Sequence, residues 1–84
     1  MEINVQIREF IAQNLLFSDN GFQYDDDDSF LQEGIVDSVG VMDLVSFVEE
    51  NFKVAVDDQE IVPNNFDSVN KVAQYVRSKQ AVPA

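Results

Sequence analysis

Apolar residues recur along the chain at helical spacing in three places. Ile3, Ile7, Phe10, Ile11 and Leu15 follow one another at intervals of three and four, with Gln6, Arg8, Glu9 and Gln13 left for water. The spacing predicts a helix over about residues 2–16. Val41, Leu44, Val45, Val48 and Phe52 fall in one narrow stripe of a second, over 37–52, whose opposite side carries Val39, Met42, Asp43, Ser46, Glu49 and Glu50. Val69, Val72, Ala73 and Val76 give the inner stripe of a last helix over 67–79, bordered by Tyr75. Between the second and last, Asp57 with Glu60 three residues later has the form of a capping box, and Ile61 and Val62 supply an apolar side. Pro63 is expected to end this short helix, 57–62, within about two turns. No segment alternates with the period of a strand. The pattern therefore predicts an all-α, four-helix bundle in one domain, 1–84, with a short third helix and a long loop between the first two.

That loop, Phe17 to Val36, is long for a compact domain. Asp19-Asn20-Gly21 is a turn signal, and Asp25 to Asp28 is a run of like charges unsuited to a regular element. Phe22, Phe30, Leu31 and Ile35 are expected to pin it to the helices. The four aspartates lack the alternating ligands, central glycine and closing glutamate of an EF-hand, so a solvated acidic loop is expected in preference to a calcium site.

Composition narrows the chemistry. The 84 residues contain no cysteine and no histidine, which removes disulfides, the usual nucleophile–base pairs and the usual zinc or haem ligands. The formal net charge is −11, from 16 acids and 5 bases, and from Phe17 to Asp67 the only base is Lys53. Phosphate-bearing partners are repelled, so nucleic acid and anionic membranes are disfavoured and basic protein patches are favoured. The N-terminus lacks a signal-peptide pattern and no apolar run approaches the ~20 residues of a membrane span. A cytoplasmic monomer without membrane insertion is expected.

The residues from Glu33 to Gly40 carry the most specific signal. Gly34 permits a tight turn, Asp37 is placed to cap the second helix, and Ser38 is left at its first position with its hydroxyl toward solvent. Asp67-Ser68-Val69 repeats Asp37-Ser38-Val39 at the start of the last helix, so the tripeptide alone does not separate an attachment serine from a cap. Context does: Ser38 follows Glu33-Gly34 and precedes an acidic helix, whereas Ser68 follows Phe66 and precedes Lys71.

This segment resembles the acyl carrier family, in which an Asp-Ser pair opens the second helix. Ser29-Phe30-Leu31 resembles the family's approach to that serine, and the likeness extends over nearly the whole chain. The resemblance implies an acyl-carrier-like bundle with a 4′-phosphopantetheine arm on Ser38, beside Asp37, which would make the chain a phosphoprotein. It implies a carrier with no catalytic activity of its own, holding an acyl or aminoacyl group as a thioester. A phosphopantetheinyl transferase would install the arm from coenzyme A. An acyl- or aminoacyl-loading ligase would charge it, and acyl-transferring or condensing enzymes with basic patches would receive the cargo. Asp43, Glu49 and Glu50, extended by Asp57, Asp58 and Glu60, would meet those basic patches, while Val39 and Met42 would fill shallow apolar pockets. No metal site is expected.

Fatty-acid-synthesis carriers usually have leucine and then an acid after the serine, where this chain has Val39 and Gly40. The arrangement looks more like D-alanyl carriers and stand-alone carriers loaded by AMP-forming ligases. Within fatty-acid or secondary-metabolite biosynthesis, a specialised carrier is expected over the housekeeping one. The reading of another class is an unmodified acidic helical domain that only binds basic partners.

Overall fold

The computed structural model describes residues 2–81. They form α1 (Ile3–Asn14), α2 (Ser38–Phe52), α3 (Pro63–Phe66) and α4 (Val69–Ala81), with no strand among the described residues. The architecture is the expected four-helix one. Ile7, Ile11, Leu44, Val48, Val69, Val72 and Val76 are fully buried and meet at its centre, so α1, α2 and α4 each contribute residues of the stripe their periodicity marks. No helix among the described residues is long and apolar enough to cross a membrane.

The connection between α2 and α4 differs from the expectation. Asp58–Glu60 forms only a 3-10 turn, and Pro63 opens α3 instead of closing a helix. The reason is the proline's missing N–H: at the first position of a helix that donor has no intrahelical partner, so nothing is lost there. Helix α4 is also shifted, beginning at Val69 where the pattern suggested 67.

The long loop is pinned by fewer apolar residues and more polar ones than the pattern implies. Phe30 is 1 % exposed and Ile35 is buried, whereas Leu31 is 73 % exposed and points away from the core. Phe30 is further fixed through its backbone, donating its N–H to the Asp67 carbonyl at 2.8 Å and accepting from Ile35 N–H at 2.8 Å. The aspartate run is clasped by α1 and α4. Arg8, expected in water, ion-pairs with Asp26 at 2.6 Å, and Asn4 donates to the same carboxylate at 2.9 Å. Asn70 donates to Asp27 at 2.6 Å. Burial pushes the Asp26 carboxyl up, but the hydrogen bonds from Asn4 and Arg8 and the guanidinium charge outweigh it, leaving the pKa below its ordinary value. Among the described residues no group of three or more acids is arranged to hold a metal ion.

A second clasp closes the α2–α3 connection. Glu60 Oε1 accepts from Asp57 N–H at 3.1 Å, from the Tyr75 hydroxyl at 3.0 Å and from Lys79 Nζ at 3.1 Å. These contacts, led by the backbone N–H of Asp57, hold the Glu60 carboxyl below the usual carboxylate range. Burial, reinforced by Glu60, pushes the Tyr75 phenol up, so it stays a donor. A carboxyl with a depressed folded-state pKa stabilises the fold fully above its ordinary value and loses that contribution as pH falls through the depressed one. Glu60→Gln is therefore expected to melt below wild type at neutral pH, with the gap closing in acid. A gap unchanged down to about pH 3 would remove the ionised clasp.

Candidate functional site

The site is built at the junction of the long loop with α2. Gly34 takes φ +66° in the turn that closes back on Phe30, a left-handed conformation that suits a residue without a side chain. Val36 is buried and the chain then emerges, so that Asp37, Ser38 and Val39 are all exposed. Asp37 has extended backbone angles and its Oδ1 accepts from Gly40 N–H at 2.7 Å. That bond satisfies one of the unpaired donors at the helix start and anchors the residue preceding Ser38. The Ser38 hydroxyl has no hydrogen-bond partner among the described residues.

Ser68, in the matching tripeptide, is 2 % exposed, and its Oγ accepts from Lys71 N–H at 3.1 Å as the cap of α4. Asp67 turns away from α4 to accept from Leu31 N–H at 3.1 Å and from the Ser29 hydroxyl. Two identical tripeptides thus have different jobs. One is a buried clamp between loop and helix; the other presents a free hydroxyl.

Beside Ser38 lies a cavity of about 310 Å³ between α2 and the α2–α3 connection. Phe30, Val36, Val41, Ile61 and Phe66 line it, and Asp37, Ser38 and Asp67 lie at its polar edge. Its lining includes no basic side chain. Ile61 and Val62 directly follow Glu60, so the Glu60 clasp holds one wall of the cavity in place.

The expected partner face divides in two. Val39 is 71 % and Met42 51 % exposed, and Asp43, Glu50, Asp57 and Asp58 also face solvent. Glu49 is half-buried and its Oε2 accepts from Val56 N–H at 3.0 Å. Glu49 and Glu60 are thus engaged within the fold, tying the α2–α3 connection to α2 and α4. Leu31 and Val62, both exposed at the cavity mouth, join Met42 there. Sequence reasoning passed over both: Leu31 read as a core anchor and Val62 as the apolar side of a helix that does not form.

Gly40 is buried, and a Cβ on it would lie 3.1 Å from Val36 Cγ1, 3.3 Å from Asp37 Oδ1 and 3.8 Å from Leu15 Cδ1. The bare backbone makes room for the Val36 side chain and lets the Asp37 carboxylate stay over the helix start.

The described residues thus form a small, acidic helical domain that presents an exposed serine at a helix N-terminus beside an apolar cavity. The phosphopantetheine attachment site family matches residues 5–76, and the chain belongs to it. The chain is also similar to a protein of Serratia sp. (strain ATCC 39006) described as a probable acyl carrier protein, PigG, at 41 % identity over 49 residues. That stretch is 58 % of this chain and 56 % of the relative, so the chain spans about half the length of the protein it matches.

The group proper to this family is a covalently attached 4′-phosphopantetheine, and the site suits one. The partial positive charge at the start of the 15-residue α2 favours a phosphodiester. The Asp37 carboxylate is held beside the same helix start by Gly40 N–H at 2.7 Å.

Proposed function

We propose that Ser38 is the attachment residue and that the chain acts as an acyl carrier protein with no catalytic activity of its own. The observation that carries this reading is the contrast between the two Asp-Ser-Val tripeptides: Ser38 is exposed beside an apolar cavity, and Ser68 is a buried cap. When bound, the arm supplies a terminal thiol that holds an acyl group as a thioester. The protein's residues do the rest. Asp37 fixes the turn that presents Ser38, and the chain has no histidine to activate the hydroxyl, so a phosphopantetheinyl transferase supplies the base. Asp43, Glu50, Asp57 and Asp58 steer Lys- and Arg-rimmed enzymes toward Ser38. The exposed Val39, Met42, Leu31 and Val62 make the short-range contacts. Exposed charge pairs speed encounter more than they tighten it, which suits a carrier that must leave each enzyme.

Gly40 favours a specialised carrier loaded by an AMP-forming ligase over the housekeeping fatty-acid role, because the Cβ of the acidic residue usual there would press on Val36 Cγ1 at 3.1 Å and on the Asp37 carboxylate at 3.3 Å. The cargo is an acyl or an aminoacyl group, and the working form is a cytoplasmic monomer.

The test is intact mass after incubation with coenzyme A, magnesium and a broad-specificity transferase, followed by loading assays with AMP-forming ligases and fatty, hydroxy or amino acids. A gain of one phosphopantetheine group located by fragmentation to Ser38 is expected. A folded chain that gains nothing from two different transferases is instead an acidic interaction domain.

A further inference from the structure

The cavity wall that faces α2 rests on little buried surface. No residue between Phe52 and Phe66 is buried, and α3, at four residues, is too short to be stable by itself. Polar bonds take the place of packing. At one end of this connection Val56 N–H donates to Glu49 Oε2 at 3.0 Å. At the other, Glu60 Oε1 accepts from the Tyr75 hydroxyl and from Lys79 Nζ of α4 at 3.0 and 3.1 Å, and the Glu60 carbonyl accepts from Asn65 Nδ2 at 2.9 Å. The three residues that follow Glu60, which are Ile61, Val62 and Pro63, all line the cavity beside Ser38.

Tyr75 ties both ends of that wall to α4. It is buried, its ring lies 5.2 Å from that of Phe66, which also lines the cavity, and its hydroxyl reaches Glu60. Lys79 Nζ stands 5.8 Å over the same ring. A segment without buried residues is among the first to open when its few bonds are cut, so the position of the wall depends on the Glu60 carboxylate. The position of the wall in turn decides what fits. The cavity of about 310 Å³ is at the low end of the roughly 300–1,000 Å³ found for small-molecule sites. At about 30 Å³ for a group the size of a water molecule or a methylene, it has room for an octanoyl chain and not for a myristoyl one.

We propose that Glu60, gripped by Tyr75 and Lys79, is a positioning residue that sets the largest acyl group the cavity beside Ser38 encloses, by holding the wall of residues 61–63 closed. The proposal rests on the reading of Ser38 as the attachment residue of an acyl carrier. Its test is the melting temperature of wild type, Glu60→Ala, Tyr75→Phe and Arg8→Met. Each carries a bare, octanoyl or myristoyl arm, transferred whole to Ser38 from coenzyme A or its thioester by a broad-specificity transferase. In wild type, octanoyl should raise the melting temperature by about 4–8 °C over the bare arm, because enclosed methylenes stabilise the folded form. Myristoyl should add nothing beyond octanoyl. In Glu60→Ala and Tyr75→Phe the bare-arm form should melt lower, and myristoyl should exceed octanoyl by about 4 °C or more. Tyr75→Phe keeps the ring against Phe66 and carries the test alone if Glu60→Ala does not fold. Arg8→Met cuts the ion pair to Asp26, neither partner of which lines the cavity; it should melt lower yet keep the wild-type ceiling. A wild-type ceiling in Glu60→Ala and Tyr75→Phe overturns the proposal, and so does a ceiling lifted equally by Arg8→Met, which is general loosening. Equal melting of the three wild-type forms shows that the cargo stays outside the cavity, and overturns it while leaving attachment at Ser38 intact. A wild type that takes no arm overturns the attachment reading, and the role of Glu60 with it.

Discussion

Ser38→Ala is expected to gain no mass at all on incubation with coenzyme A, magnesium and a transferase, in a protein that melts like wild type. The hydroxyl makes no hydrogen bond to the described residues, so its removal strands no partner. Alanine at the first helical position costs nothing in helix propensity. Ser68→Ala is expected to do the reverse. Its hydroxyl accepts from Lys71 N–H in a site 2 % exposed, and an orphaned cap donor typically costs about 1–2 kcal/mol. The midpoint of urea unfolding should therefore fall while the mass gain stays whole. Each variant thus serves as the other's control for folding and for chemistry. Modification surviving in Ser38→Ala and lost in Ser68→Ala would transfer the attachment reading to the wrong tripeptide and sink it.

The periodic parts of the chain were the legible parts. A stripe such as Leu44, Val45, Val48 and Phe52 marks its own buried face, and those residues are buried, because helix geometry maps sequence spacing directly onto one side. Asp37 as a cap was legible for a related reason, since capping acts over three residues. What escaped depends on partners distant in sequence. Nothing near Arg8 announces that it will reach Asp26, 18 residues on, and nothing near Glu60 announces Tyr75 and Lys79. The capping box of Asp57 and Glu60 was legible and forms, but Glu49 read as a free acid and the reach of Glu60 to α4 went unseen, because side chains that bond backbone or hydroxyl groups across a loop leave no periodic trace. Pro63 was misread through its ambiguity, since proline stops a helix from within and starts one at its first turn. Leu31 and Phe30 are neighbours, both strongly apolar, with opposite fates. A loop has no period to say which of two adjacent apolar residues turns inward.

Those two residues give the largest expected effect on stability. Phe30→Ala should cost about 3–5 kcal/mol, the range for deleting a fully buried aromatic side chain. A domain of this length holds roughly 4–13 kcal/mol in all, so the variant should unfold at a small fraction of the wild-type urea concentration or be largely unfolded in buffer. The cost is concentrated because Phe30 joins three parts of the molecule. Its ring sits in the core with α2 and α4, its N–H reaches the Asp67 carbonyl, and its carbonyl closes the turn before Ser38 through Ile35. Leu31→Ala, one residue away and 73 % exposed, should change stability by no more than about 0.5 kcal/mol. If the docking surface includes the cavity mouth, Leu31→Ala should instead slow transfer to enzymes that act on the carrier. Equal urea midpoints for Phe30→Ala and Leu31→Ala would contradict the burial of the loop. In the expected case, the long acidic segment is held as part of the core, and the turn that presents Ser38 is as rigid as the packing of Phe30 makes it.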